Sequence, residues 1–424
     1  APYERLIIYA ASFVEKHRKD YEILEPEYET IIAALESAYT LGYTKELMRC
    51  IYAFIPYLRS RGLYELAEKQ LQRALEGANS LRDGDGKSGA LLYLGEIAQK
   101  RGNYEQASTH LQEGLRLARQ LENKERLTAL LADLGRIAWK RGEYTRAEDY
   151  LNEGLPLARQ IDNSEYLCDI LETLGSLAAS RGEYVKSKVY MEEALKLARD
   201  VDDREKICTL LINLGVTEGD QGDHARAEIY FKEGLELAKE LGHREWVSLL
   251  LTNLGGAEVE LGNYKEAETY FQEGLIFARQ IFQQEWISAL LLNLGLISQK
   301  QENFAQAEQY FHDGLTLSRQ LGNPQFTSSG LYEYGNLLLI QRKVEEAEAI
   351  FNEMLITVPE GGQDLLALAQ YGLARVAAAR KNINEALRLG KISISALEAT
   401  GHRGAIDVRS WLISILEGPD RISI

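Results

Sequence analysis

Apolar residues recur along most of the chain at helical intervals, in two blocks that a glycine separates. The block between 164 and 180 carries its apolar side chains on one helical face: Leu167, Ile170, Leu171, Leu174 and Leu177. Gly182 follows, and glycine suits the left-handed residue that ends a helix. A second block between 184 and 199 repeats the spacing, with Tyr184, Ser187, Tyr190, Met191, Ala194, Leu195 and Ala198 on one face. The pattern predicts a helix, a tight turn and a second helix.

This unit returns at a fixed interval. A Leu-Gly pair stands at 94–95 and comes back every forty residues, at 134–135, 174–175, 214–215, 254–255 and 294–295, followed by Tyr334-Gly335. A period of this length is typical of a solenoid, in which each unit packs on its neighbours. The sequence therefore predicts an all-α chain of about 20 helices.

The repeated glycine lies within the first helix, where it costs about 1 kcal/mol relative to alanine. Such a cost at every repeat predicts a close approach between the two helices of a unit. We expect the partner to be a small residue on the second helix: Ala107, Ala147, Ser187, Ala227, Ala267, Ala307 and Ala347. Two capping boxes are also expected, Asp162 with Glu165 and Asp202 with Glu205. Glu302 stands where other repeats have the turn glycine.

The repeated motif resembles that of a known repeat family. Leu134-Gly135, then Gly142-Glu143-Tyr144, Ala147 and Leu151 resemble the tetratricopeptide repeat, in the long form seen in kinesin light chains, bacterial peptide-pheromone receptors and MalT-type signalling ATPases. The resemblance implies a right-handed superhelix of helix-turn-helix units whose first helices line a concave groove. It places an N-terminal helical pair or capping segment at 1–44, about nine repeats at 45–400, and a capping helix and tail at 401–424.

Composition narrows the possible partners. The net charge is −16, and acidic residues are spread along the chain. A protein that binds nucleic acid normally carries a basic stripe, so we expect none here. The acidity can simply keep a long surface soluble, or it can attract a basic partner.

Localisation follows from what the sequence lacks. It has no apolar stretch of about 18 residues and no signal peptide, which predicts a cytoplasmic chain without a membrane contact. Cys50, Cys168 and Cys208 form no disulfide framework, and we expect Cys168 and Cys208 to serve packing. A start at Ala1 fits removal of methionine or excision from a longer protein.

Catalytic chemistry finds no support. Gly84 to Ser88 contains Gly-Lys-Ser but lacks the earlier glycine of a phosphate-binding loop, so an inter-repeat turn is expected and no ATP site. The six histidines show no metal-ligand spacing. We predict no enzyme, no cofactor and no metal site.

Candidate binding residues are polar positions without a packing role. Asn213, Asn253 and Asn293 directly precede Leu-Gly in three successive repeats. The resemblance places this position in the concave groove and implies that the amides clamp the backbone of a bound peptide. The alternative is a solvated asparagine that bonds within its own helix. A second position varies from repeat to repeat, with Glu96, Arg136, Ser176, Val216, Gly256, Leu296 and Asn336. The predicted groove set is Asn213, Asn253, Asn293, Arg136, Glu172 and Asn336.

Two charged series recur in step with the repeat. Acidic side chains lie at Glu113, Glu153, Glu193, Glu233, Glu273 and Asp313, and basic ones at Arg119, Arg159, Arg199, Lys239, Arg279 and Arg319. Because both are periodic, we expect salt bridges between units in preference to a ligand site.

The start of the chain suggests a context. The segments Tyr3 to Phe13, Tyr21 to Glu29 and Ile31 to Leu35 resemble the junction after the nucleotide-binding and winged-helix modules of bacterial signalling ATPases. This resemblance implies a ligand-sensing region with a protein or peptide ligand and a nucleotide-binding domain N-terminal to this chain. The alternative is a freestanding scaffold or adaptor that assembles a multiprotein complex.

Overall fold

The computed structural model describes residues 2–18, 20–161, 163–359, 361–400 and 402–417, and they contain only α-helices as regular structure. The first eleven of 22 helices are α1 Pro2–Lys16, α2 Tyr21–Leu24, α3 Tyr28–Leu41, α4 Thr44–Ser60, α5 Tyr64–Leu81, α6 Gly84–Lys100, α7 Tyr104–Gln120, α8 Lys124–Lys140, α9 Tyr144–Gln160, α10 Ser164–Ser180 and α11 Tyr184–Asp200. The others are α12 Arg204–Gln221, α13 His224–Glu240, α14 Arg244–Leu261, α15 Tyr264–Gln280, α16 Gln284–Lys300, α17 Phe304–Leu321, α18 Pro324–Ile340, α19 Val344–Thr357, α20 Gln363–Ala379, α21 Ile383–Ala399 and α22 Ala405–Glu417. The expected all-α solenoid of helix-turn-helix units is confirmed.

The chain divides into two compact units, residues 1–217 and 218–424, with the boundary inside α12. In unit 1, α1 packs on α3 and α4, and the later helices form the pairs α4–α5, α6–α7, α8–α9 and α10–α11. In unit 2 the pairs are α14–α15, α16–α17, α18–α19 and α20–α21, and α22 packs on α21. Most of these helices have 17 residues, about 25 Å at 1.5 Å per residue. The division into 1–44, 45–400 and 401–424 stays a prediction, and residues 401 and 418–424 lie outside the described residues.

The first helices of successive pairs lie close together. In unit 1, α4 contacts α6, α6 contacts α8, and α8 contacts α10. In unit 2, α16 contacts α18 and α18 contacts α20. The first helices α6, α8 and α10 of unit 1 and α14, α16, α18 and α20 of unit 2 also pack on the second helices before and after them. The first helices therefore form the crowded inner wall of each unit, and the second helices form its outer side.

The repeated glycine accommodates a large side chain from the second helix. A Cβ on Gly135 would lie 2.6 Å from Leu151, and one on Gly175 would lie 2.6 Å from Met191. In unit 2, a Cβ on Gly255 would lie 2.4 Å from the Phe271 ring. The close approach was predicted correctly, but its partner was not. Ala147 and its equivalents are buried one turn earlier on the second helix. The large residue four positions later fills the space beside the first-helix glycine, and we call this space the notch.

The turns follow the predicted glycines. Gly102, Gly142 and Gly182 have φ between 74° and 77°, and Glu302 adopts the same left-handed conformation at φ 62°. The capping box at Asp202 was wrong: Asp202 itself has φ 52°, and Asp203 accepts from Lys206 N at 3.0 Å. The other expected cap, Asp162, lies outside the described residues.

The region from Gly84 to Ser88 also differs from expectation. It forms the first turn of α6, which Asp83 caps, and it is not the inter-repeat turn that the sequence predicted. Lys87 forms an ion pair with Glu113 at 2.7 Å. The three cysteines are buried and form no disulfide within the described residues, which fits the packing role expected for Cys168 and Cys208, and burial raises the pKa of Cys168 to about 12.

The expected ion pairs join neighbouring second helices. In unit 1, Arg119 meets Glu153 at 2.7 Å and Arg159 meets Glu193 at 2.9 Å. In unit 2, Lys239 meets Glu273 at 2.8 Å and Arg319 meets Glu353 at 2.8 Å. All these side chains are exposed by 38% or more, so each pair contributes about 0–1 kcal/mol.

Gly255 and Gly256 of α14 test whether the first-helix glycine is required to admit the large side chain. Gly255→Ala should lower the free energy of unfolding by about 1–3 kcal/mol, because its Cβ meets the Phe271 ring. A Cβ on Gly256 meets nothing within 4 Å, so Gly256→Ala should raise it by up to about 1 kcal/mol through helix propensity. Urea denaturation of both variants measures the difference. Equal effects of the same sign would contradict the assignment.

The strained turn offers a second test. Glu302→Gly should raise the free energy of unfolding by about 1 kcal/mol, since a left-handed backbone costs an L-residue about that much. The reciprocal change Gly262→Ala, at φ 82°, should lower it. Thermal melts compare the two, and a destabilised Glu302→Gly would refute the backbone argument.

Candidate ligand-binding wall

The predicted site residues lie on the inner walls. Contacts between successive first helices establish this position: Arg136 of α8 reaches Gln99 of α6, and Asn336 of α18 reaches Arg375 of α20. Asn213 of α12 reaches Glu172 of α10 in the same manner. Asn253 and Asn293 occupy the same position of the repeat on α14 and α16 and are half-buried.

Unit 1 carries a network of charges across α4, α6 and α8. Arg59 forms an ion pair with Glu96, and Arg136 forms one with Asp133. Arg136 Nη2 also lies 3.5 Å from Gln99 Oε1, while its buried Nε has no hydrogen-bond partner among the described residues. The wall of unit 1 is therefore polar and largely satisfied by its own side chains.

Burial controls the electrostatics of this network. It raises the pKa of Glu96 to about 7, with the nearby Asp133 carboxylate adding to the rise and Arg59 and Arg136 opposing it. Burial also raises the pKa of Asp133, against the charge of Arg136. Carboxylates so close together are costly to ionise at once without the two arginines.

A second network joins α10 to α12. Lys206 Nζ lies 2.6 Å from Asp169 and 2.9 Å from Glu172. Burial lowers the pKa of Lys206, but the two carboxylates raise it more, so the ammonium stays charged. Glu172 Oε1 also accepts from Asn213 Nδ2 at 3.3 Å. Glu172 and Asn213 are thus brought together, and this amide is already engaged by the chain.

None of the predicted asparagines of unit 2 is bonded to a described carboxylate of a neighbouring helix, as Asn213 is. Asn336 Oδ1 accepts from Arg375 at 2.6 Å. Within the described residues, the amides of Asn253 and Asn293 make no hydrogen bond, although both side chains are half-buried. Next to Asn253, Gly256 leaves open space, and the equivalent residue in the following repeat is Leu296. Within the described residues, this part of the wall therefore presents two amides that the chain itself does not engage.

Sequence reasoning missed Asp169 and Lys206 as members of the wall. Both occupy first-helix positions that vary between repeats, but only the structure shows that they face each other.

Within the described residues, no group of three His, Cys, Asp or Glu could hold a metal ion. The described helices also include none long and apolar enough to span a membrane.

The Glu96 carboxyl gives a pH test of the unit 1 network. Its pKa is raised on folding, so its contribution to stability is full below about 4.5 and is lost as pH rises through about 7. Glu96→Gln should therefore gain stability relative to the unmodified chain between pH 4.5 and 8, by on the order of 1–3 kcal/mol.

A carboxyl with the opposite shift serves as the comparison. Hydrogen bonding to Arg73 lowers the pKa of Glu36, so its stabilisation is present above its unfolded pKa and is lost as pH falls. Glu36→Gln should lose stability relative to the unmodified chain as pH rises. Urea denaturation at several pH values measures both, and parallel trends would argue against the buried network.

Solved structures share this fold. A Signal Transduction ATPase with Numerous Domains from Pyrococcus horikoshii, which has a tetratricopeptide repeat sensor, matches 81% of this chain and 54% of its own, with TM-score 0.58 and 16% identity. Aspartyl phosphate phosphatase F from Bacillus subtilis matches 83% of this chain and 93% of its own, with TM-score 0.54 and 12% identity. A Rap protein in complex with competence and sporulation factor matches 82% of this chain and 100% of its own, with TM-score 0.51 and 16% identity. At such identities the likeness concerns the fold alone.

Sequence comparison identifies the repeat itself. A search of curated proteins gives no significant match. The tetratricopeptide repeat model matches residues 87–160, 166–240, 207–280 and 246–320, more than half of the chain. This chain therefore belongs to the tetratricopeptide repeat family.

Proposed function

We propose that the inner wall of unit 2 binds a protein or peptide segment in extended form, and that the chain is the ligand-sensing region of a larger signalling ATPase. The observation that carries the first part is the pair of free amides at Asn253 and Asn293. A carboxamide can donate to a backbone carbonyl and accept from a backbone N–H together. Half-buried amides without a partner are suited to receive such a backbone.

The repeat places the two amides in register. Asn253 and Asn293 occupy the same position on α14 and α16, two successive first helices. A segment that runs along the wall from one first helix to the next can therefore contact both amides. The neighbouring Gly256 and Leu296 leave space and apolar surface for its side chains.

The varied wall supports recognition over a purely structural role. The packing positions repeat, as the glycine notches do, but the wall changes from ion pairs in unit 1 to free amides in unit 2. Asn336 belongs to the same proposed surface in unit 2, while Arg136, Glu172 and Asn213 are the predicted site residues of the unit 1 wall. A regular scaffold with a changing surface suits a specific partner.

The structural neighbours support the signalling context. The Pyrococcus horikoshii protein has its tetratricopeptide repeats as the sensor of an ATPase, and this chain matches about half of that protein. The Rap protein was solved with competence and sporulation factor bound. By analogy, a nucleotide-binding domain would lie N-terminal to this chain in the bacterial cytoplasm. An encoded phosphate-binding loop upstream of Ala1 would support the sensor, and its absence would favour the scaffold alternative.

A peptide library displayed on phage tests the binding wall. Peptides selected on the unmodified chain should bind the double variant Asn253→Ala, Asn293→Ala roughly tenfold or more weakly, since each lost hydrogen bond costs about 0.5–1.5 kcal/mol. Thermal stability should hold or rise slightly, because alanine is the better helix former.

The matched control is Asn352→Ala, which removes an exposed asparagine from the second helix α19. It should leave peptide affinity unchanged. Equal affinity of the double variant and the unmodified chain would mean that the free amides are ordinary surface.

A further inference from the structure

Phe282 lies in the turn between α15 and α16, and its side chain is 81% exposed, more than any other aromatic residue that the structure describes. Its backbone is left-handed, with φ 57°, a conformation that is unfavourable for residues with a Cβ. The equivalent residues of the neighbouring repeats are Gly242 and Gly322, which adopt it readily. The Phe282 ring is therefore held in a strained turn and gains little from packing on its own chain.

Two successive turns of unit 2 lack charged residues. The first, 280–284, joins α15 to α16, and the second, 320–324, joins α17 to α18. Each of the five earlier turns has at least one charged residue at the same positions: 80–84, 120–124, 160–164, 200–204 and 240–244. Since 26% of the chain is charged, the two uncharged turns differ from the rest of the series.

These two turns lie next to each other. The helices α16 and α18, which begin at them, contact each other directly. In unit 1 the equivalent turns also touch, since Asn123 Nδ2 donates to Asp85 Oδ1 at 2.7 Å. The exposed side chains around the two uncharged turns therefore form one surface, which combines three apolar residues with five glutamines. We call it the neutral edge: Gln280, Phe282, Gln283, Gln284, Gln320, Leu321, Pro324 and Gln325.

The charge of the chain favours one kind of partner for this surface. Each copy of the chain carries a net charge of −16, so two copies repel each other over most of their surfaces. At the neutral edge, apolar side chains can be buried without removing a charge from water. The glutamine side chain both donates and accepts hydrogen bonds, so the same set of amides can bond to an identical set. The neutral edge is therefore complementary to itself.

We propose that the neutral edge is the contact between two copies of this chain in a symmetric dimer. A two-fold axis brings the same surface of both copies together, as a self-complementary surface requires. The Phe282 ring, which is exposed in the single chain, is buried in this contact and acts as its anchor. Because the surface spans only two turns, the dimer is weak, with a dissociation constant on the order of 100 µM.

Sedimentation velocity of the unmodified full chain at about 1–500 µM tests the dimer around this dissociation constant. Phe282→Gly and Phe282→Asp suit the left-handed turn, since Gly242 and Asp202 occupy it in other repeats. Both variants should weaken the dimer about tenfold or more. Their melting temperatures at low concentration should be no lower than that of the unmodified chain, so unfolding cannot explain the loss.

A matched control removes an apolar side chain elsewhere in unit 2. Ile229 of α13 is 65% exposed and lies outside the neutral edge, so Ile229→Gln should leave the dissociation constant unchanged. Salt supplies a second comparison. Raising NaCl from about 50 to 500 mM should strengthen the dimer about twofold or more, because screening reduces the repulsion between the two acidic copies.

Cysteine cross-linking locates the contact. The three native cysteines are buried, so a new exposed cysteine is the reactive one. Under mild oxidation, Gln283→Cys should form a disulfide-linked dimer about tenfold faster than Ile229→Cys, because only the first lies in the contact.

The proposal is overturned by any of three results. The unmodified chain could stay monomeric over the whole concentration range, which would leave the neutral edge to a different protein. A dimer could also form but survive Phe282→Asp unchanged, or weaken as salt is raised. Equal cross-linking rates at residues 283 and 229 would likewise place the contact elsewhere.

Discussion

The structure depends on one steric contact, in which a large side chain of the second helix enters a notch at a first-helix glycine. The notch lets the large side chain lie directly against the backbone of the first helix, which fixes how far one helix can slide along the other. Phe351 shows how tight the arrangement is, because a Cβ on either Gly335 or Gly372 would lie within 2.5 Å of its ring. With this contact repeated, every first helix presents the same positions to the inner wall.

Helix packing and the surface of the wall use different residues. The notch and the buried apolar face hold each helix pair together, so the wall positions can differ from repeat to repeat. In unit 1 they form ion pairs such as Lys206 with Asp169 and Glu172. In unit 2 the amides of Asn253 and Asn293 make no hydrogen bond to any residue that the structure describes. The same backbone thus supports two chemically different surfaces.

Local features were predictable from the sequence and three-dimensional ones were not. The helix at Ser164–Ser180 was predicted to the residue, because apolar spacing and the turn glycine both act within a few positions. The need for a notch was also visible, but its occupant was not, since which side chain enters depends on the relative rotation of two helices. The cap at Asp203 was missed by one residue because Asp202 adopts a left-handed backbone. For the wall, the sequence marked the variable positions, but the engagement of Asn213 by Glu172 depends on the distance between neighbouring helices.

The two sides of each unit differ in stiffness. First helices pack on the buried apolar faces of the second helices, and such close packing resists deformation. Outer helices are linked by long, exposed ion pairs such as Arg119 with Glu153, which are weak and screened by salt. Raised ionic strength should therefore weaken the links between second helices, while the apolar packing within each helix pair stays unchanged.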